Sequence, residues 1–223
     1  KNAASAPPGR FSICANEKPL WHSQPRERSG RHVLTADLAL DQILVWTFDA
    51  TAGTLAPNDP PFVKVPAGDG PRHFVFHPNG RWFFSLQEEG STVMAFSYDA
   101  ATGRLAAKQT ISTLPRGFAG TNFTSELVMS PDGQFLYAAN RLHDTIACFS
   151  ISATGVLTAI GEEPTRGDYP RHIGLAPGGG FMYACNQRSD AIVMFRVNRL
   201  TGRLTYSGQY TAVGAPAVVA FLA

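Results

Sequence analysis

The chain has 223 residues, 44% of them hydrophobic and 16% charged, enough to build a sizeable core and too apolar for a disordered chain. A formal net charge of +2 with no cluster of Lys and Arg excludes the electrostatic footprint of a nucleic-acid binder. No run of about 18 apolar residues is present, which argues against a membrane-spanning helix.

Residues 1–18 match no repeating pattern and form an unassigned N-terminal segment. Their Ala/Ser/Pro-rich start lacks the apolar centre of a signal peptide, so a cytoplasmic protein is expected. From Pro19 onward a repeat can be followed, and residues 19–223 are taken as one domain. The glycines Gly30, Gly80, Gly133 and Gly179 each stand in the turn between the first two strands of a unit, with spacings of 50, 53 and 46 residues, although before Gly30 the first strand's place is held by the polar Gln24–Arg28. Eleven residues after each glycine stand Asp41, Ser91, Asp144 and Asp190; sixteen after stand Trp46, Phe96, Phe149 and Phe195. A later turn brings Gly53, Gly103, Gly155 and Gly202, each followed two residues on by a leucine.

The second unit shows what is repeated. Its apolar runs Phe74–Phe76, Trp82–Leu86, Thr92–Phe96 and Leu105–Ile111 are separated by turn residues that stop a helix, so they read as antiparallel strands A to D. The runs are nearly continuous rather than alternating, which implies sheets covered on both faces. Ala36–Trp46 could pass for helix by composition, but Asp41 holds the turn column, so strands are expected there too. A period near 50 built of strands and turns is the signature of a β-propeller. Four-stranded blades are expected at Arg31–Val65, Gly70–Thr113, Ser125–Pro164 and Arg171–Ala212. The first would take its inner strand from Pro19–Arg26, and Pro216–Leu222 should form the inner strand of a fifth unit. The fold class is therefore all-β, a propeller of four blades plus one strand.

Columns where polar residues differ between repeats carry the functional signal. Eight residues before the glycine, where strand A begins, stand His22, Arg72, Ser125 and Arg171, followed one residue later by Ser23, His73, Glu126 and His172. Eight after the glycine, at the end of strand B, come Leu38, Glu88, Arg141 and Gln187. In a propeller these positions share one mouth of the central channel, so His22, Arg72, Glu88 and Arg141 should face one another as a catalytic set. His73, Glu126, His143, Arg171 and His172 are the expected substrate-binding residues, although His143 reads equally well as a turn residue and Arg171 as a partner of turn carbonyls. Gln87, Asn140 and Asn186 read as structural turn formers, and His77 as a solvated turn residue. The histidines are scattered and show neither HxH nor HExxH spacing, so no metal is expected. Cys148 and Cys185 lie in strand patterns and read as buried thiols; with Cys14 they form no CxxC pair. The Asn122-Phe123-Thr124 sequon reads as chance.

Pro19-x-x-His22-Ser23, Gly70-Pro-Arg72-His73, Glu88-x-x-Ser91-Thr92-Val93 and Asn140-Arg141-x-His143-Asp144 occur in an order and spacing that resemble one family. So do Asn58-Asp59-Pro60-Pro61 and the Ser130-Pro-Asp-Gly133 turn. They resemble the seven-bladed propeller lactonases, which include the propeller-type 6-phosphogluconolactonases and the fungal carboxymuconate lactonizing enzyme. The chain departs from that pattern where Leu20 replaces the first histidine of a His-x-His. The resemblance implies seven blades, of which this chain would hold a part, and self-association through open propeller edges is expected. It also implies a cofactor-free site at His22, Arg72, Glu88 and Arg141, and an anionic lactone as substrate; charge and hydropathy set aside nucleic acid and membrane as partners. The same residues acting in reverse would cyclise a carboxymuconate, and a non-enzymatic propeller module or inactive truncated remnant is the third alternative.

Overall fold

The computed structural model describes residues 11–12 and 30–221. Sixteen strands fall into four antiparallel four-stranded sheets, and no helix occurs among the described residues. The first sheet holds β1 (Phe11–Ser12), β2 (His32–Asp37), β3 (Gln42–Asp49) and β4 (Thr54–Lys64). The second holds β5 (Pro71–Phe76), β6 (Trp82–Gln87), β7 (Thr92–Asp99) and β8 (Arg104–Ser112). The third holds β9 (Thr124–Met129), β10 (Phe135–Asn140), β11 (Thr145–Ile151) and β12 (Leu157–Pro164). The fourth holds β13 (Pro170–Leu175), β14 (Phe181–Asn186), β15 (Ala191–Val197) and β16 (Leu204–Ala212). Each sheet follows chain order, and from β2 onward the strands within a sheet are joined by short turns.

Three expectations need correction. The strand paired with β2 is Phe11–Ser12, with Phe11 opposite Asp37; the expected Pro19–Arg26 lies outside the described residues. Pro216–Phe221 forms no strand, because its backbone makes no ladder; it runs beside β13, where Val219 meets Gly174. The outermost strands β4, β8, β12 and β16 are largely exposed, so burial on both faces belongs to the three inner strands of a blade.

The core lies between blades rather than within them. One apolar cluster joins the first two sheets around Ile43, Phe83 and Phe96. A second joins Phe84 and Leu86 to Leu127, Leu136 and Phe149. A third joins Tyr137 and Ile146 to Ile173, Met182 and Phe195. Full burial of such a side chain contributes about 1.5–3 kcal/mol, so each blade depends on its neighbour for most of its stability. The turn glycines fit the seams: Gly155 and Gly202 lie against Trp82 and Phe135 of the preceding sheet. His77 is also a seam residue, its Nε2 3.1 Å from the Gly133 carbonyl, which corrects its reading as a solvated turn. The column of Asp41, Ser91, Asp144 and Asp190 shares a left-handed backbone, with φ between 50° and 54°. No helix among the described residues is long and apolar enough to cross a membrane.

Candidate active site

The inner strands β5, β9 and β13 lie side by side, and each opens with an irregular pairing. Arg72 and His73 together oppose one residue of β6, Ser125 and Glu126 oppose one of β10, and Arg171 is the extra residue before His172. Such bulges re-aim side chains beside functional sites. Strand ends are tied in a repeating way. The N–H of Glu88, Arg141 and Gln187, just past β6, β10 and β14, donates to the carbonyls of Gly70, Phe123 and Tyr169 at 2.7, 2.8 and 3.0 Å. These bonds bring the end of each B strand to the start of its own A strand.

Glu88 sits between two arginines. Arg72 Nη1 donates to its Oε2 at 2.6 Å, and Arg72 Nε donates to the Ser125 carbonyl at 2.8 Å, which fixes the fork. Arg141 Nη2 stands 2.5 Å from the other carboxylate oxygen, a close charge contact off the angle of a hydrogen bond. Arg141 is only 4% exposed, and its Nε is buried with no hydrogen-bond partner among the described residues. Burial alone would raise the Glu88 pKa, but the Arg141 contact, both guanidinium charges and the Arg72 bond together hold it below the usual carboxylate range. The result is an ionised carboxylate flanked by fixed cations.

A second carboxylate adjoins this set on the next column of the inner strands. Glu126 Oε1 lies 2.7 Å from His73 Nδ1 and accepts the Leu127 N–H at 3.0 Å, while its Oε2 lies 3.3 Å from His172 Nε2. Three blades are thus bridged through one carboxylate. Burial works against its charge, but the imidazoles and the Leu127 amide outweigh it, and its pKa is lowered. Among the described residues no group of three or more His, Cys, Asp or Glu is placed to hold a metal ion.

The structure thus brings Arg72, Glu88 and Arg141 together as the columns require, and His73, Glu126 and His172 beside one another. Arg171 is half-buried and bonds no turn carbonyl; no hydrogen bond or ion pair joins it to another described residue. His143 packs edge-on against Phe118 at 4.8 Å, with Nε2 3.3 Å from Glu162. His22 lies outside the described residues. Asn140 is a buried structural hub bonded to Thr113, Asn122 and Thr145, and Asn186 donates to the Thr165 carbonyl. The sequence reading passed over two aromatics. Phe123 and Tyr169 place their rings 5.7 and 5.4 Å from the Arg141 guanidinium, and both stand ten residues before their repeat's glycine. That column holds Gly70 in the second unit, and an aromatic in its place was the available signal.

Successive four-stranded sheets that share their cores with their neighbours define the fold as a β-propeller, with a carboxylate between two arginines near its inner strand starts. The family model for the seven-bladed β-propeller lactonases matches residues 13–221, and the chain belongs to that family. An uncharacterised protein of Lactococcus lactis is 39% identical over 140 residues, covering 62% of this chain and 40% of its own length. A 6-phosphogluconolactonase of Pectobacterium carotovorum is 32% identical over 203 residues, covering 91% of this chain. The solved periplasmic gluconolactonase of Pseudomonas aeruginosa superposes with a TM-score of 0.82 at 32% identity, over 88% of this chain. The chain spans 60% of the length of that 6-phosphogluconolactonase and 54% of the gluconolactonase.

Proposed function

We propose that this chain carries the reacting groups of a lactone hydrolase that opens an anionic sugar lactone such as 6-phosphogluconolactone. The observation that carries the reading is the ionised Glu88 carboxylate held between Arg72 and Arg141. Similarity to proteins named 6-phosphogluconolactonase and gluconolactonase supports the substrate class. Opening a lactone requires water to add to the carbonyl carbon, stabilisation of the oxyanion, and a proton for the departing ring oxygen. Glu88 orients the water and takes its proton as the new C–O bond forms. The buried Arg141, with an N–H that has no partner among the described residues, is the donor for the carbonyl oxygen as it becomes negative. As the tetrahedral intermediate collapses the ring C–O bond breaks, and His22 supplies a proton to the alkoxide. Arg171, half-buried with no partner among the described residues, is suited to a phosphate or carboxylate on the substrate. His73, Glu126 and His172 form the adjoining wall.

The test is hydrolysis of 6-phosphogluconolactone by purified protein, with and without a chelator and with the spontaneous rate subtracted. Turnover that survives the chelator is expected, and Glu88→Gln should lower kcat by about 10²–10⁴. The exposed Glu89→Gln serves as control. No turnover above the spontaneous rate, or near-parental kcat in Glu88→Gln, would overturn the assignment.

A further inference from the structure

Tyr169 stands in a left-handed backbone position that is filled by glycine or alanine at two equivalent places in the fold. Its φ is +62°, and its N–H donates to Asp144 Oδ1 at 2.8 Å. One repeat unit shows the same device with glycine: Gly70 has φ +64° and donates to Asp41 Oδ1 at 2.9 Å. Past the fourth blade the device recurs with Ala215, at φ +42°, donating to Asp190 Oδ1 at 2.8 Å. The turn aspartate of one blade thus holds a left-handed residue just before β5, just before β13 and just before the segment that follows the fourth blade. In the remaining repeat Ser91 replaces the aspartate, and Phe123 is not left-handed. Left-handed backbone is uncommon for any residue with a side chain and rarer for a bulky one, and where it persists it clusters at functional sites.

What the ring touches explains its retention. The Arg141 guanidinium lies 5.4 Å from the ring centroid, and Arg141 Nη1 is 3.4 Å from the Tyr169 hydroxyl. Arg188 lies over the ring at 3.9 Å, and Phe123 contributes a second aromatic contact to Arg141 at 5.7 Å. Among the described residues no backbone carbonyl anchors the Arg141 fork, unlike that of Arg72, which is held by Ser125. Aromatic contacts of this kind are within the reach of cation–π attraction.

We propose that Tyr169 is a positioning residue: it holds the Arg141 guanidinium at the Glu88 carboxylate, and it is kept in a strained backbone for that purpose. The catalytic consequence rests on the lactone-hydrolase reading; the positioning itself does not.

The discriminating variants are Tyr169→Gly, which removes the ring and relieves the backbone, and Tyr169→Phe, which keeps the ring and loses the hydroxyl. The Arg141 Nε–H proton, buried and assigned by its loss in Arg141→Lys, reports the guanidinium directly in nitrogen-15 spectra through its exchange with water. In Tyr169→Gly that exchange should accelerate at least tenfold while the melting temperature stays level or rises. If the chain hydrolyses 6-phosphogluconolactone, kcat should fall at least tenfold in Tyr169→Gly and stay within about threefold in Tyr169→Phe. A residue that merely supports the fold would give the opposite: a lower melting temperature in Tyr169→Gly with unaltered Arg141 exchange. That result, or a parent in which Arg141 Nε–H already exchanges freely, overturns the inference. Absence of lactone turnover with the expected change in exchange refutes the hydrolase reading alone and leaves the positioning role supported.

Discussion

Replacing Glu88 by glutamine should cost stability as well as chemistry, and the loss should depend on pH in a defined direction. The carboxylate neutralises Arg72 at 2.6 Å and Arg141 at 2.5 Å, and its side chain is 14% exposed, so solvent screens the pairs weakly. Glutamine presents one amide oxygen and one NH2, so it can accept from one guanidinium only and sets a donor against the other. Removing one partner from a buried ion pair costs about 3–5 kcal/mol. In a chain of this size that is on the order of 10 °C in melting temperature. The Glu88 pKa in the fold lies below its ordinary 4.5, so the unfolded chain takes up the proton first as pH falls. Stability from Glu88 is therefore complete above about pH 4.5 and is lost as pH drops through the lowered native value. Urea unfolding of parent and Glu88→Gln, side by side from pH 7 down to pH 3, measures this. Their midpoints should be well separated at pH 7 and should converge below pH 4.5. Glu126, whose pKa is also lowered, destabilises both proteins in the same window and cancels in the difference. Equal midpoints at pH 7, or a gap that keeps its full width at pH 3, would refute the reasoning.

Two further outcomes follow from the seams and the buried thiols. Gly202→Ala places a methyl group on the Phe135 ring at φ +69°, and should lose about 2–5 kcal/mol from left-handed strain and overpacking. Gly53→Ala, at φ +66° with open space around it, should lose only about 1–2 kcal/mol, and equal losses in urea unfolding would show that the seam is not packed as described. Burial pushes the Cys148 thiol up to about 12 and that of Cys185 up to about 11, so neither should react with iodoacetamide at pH 8 in the native state. Peptide mass spectrometry showing either one labelled as fast as in urea would contradict that burial.

The candidate site was readable in part because the repeat lines up equivalent positions. Once Gly80 and Gly133 are aligned, Glu88 and Arg141 stand at the same place in adjacent blades, and Arg72 stands sixteen residues before Glu88. Position in the repeat does not say which neighbour a side chain meets. His77, read as solvated, bonds the next blade's turn; His143, read as turn or pocket wall, packs on Phe118 and faces Glu162. The first contact joins equivalent turns of successive repeats, whereas those of His143 join residues whose separation in the chain is unrelated to the period. Tyr169 escaped attention for the same reason: its backbone depends on the Asp144 carboxylate 25 residues earlier, and its ring is placed by Arg141 and Arg188.

Strand, turn and blade count came from the chain alone, because tight turns are local. Glycine and aspartate at fixed offsets dictate backbone angles whatever surrounds them, and Gly30, Gly80, Gly133 and Gly179 all take the left-handed conformation that such turns need. The ends of the propeller were not decided locally. Phe11–Ser12 pairs with β2 although it matches no column, and Pro216–Phe221 makes no strand although its composition fits one. A strand exists only where a partner offers its edge, which is a property of the assembled sheet. Electrostatics likewise required the assembled structure. Two arginines and a glutamate are three ordinary surface residues until β5 and the ends of β6 and β10 bring each guanidinium within 2.6 Å of the carboxylate. Only then does burial make their mutual charge strong enough to keep Glu88 ionised.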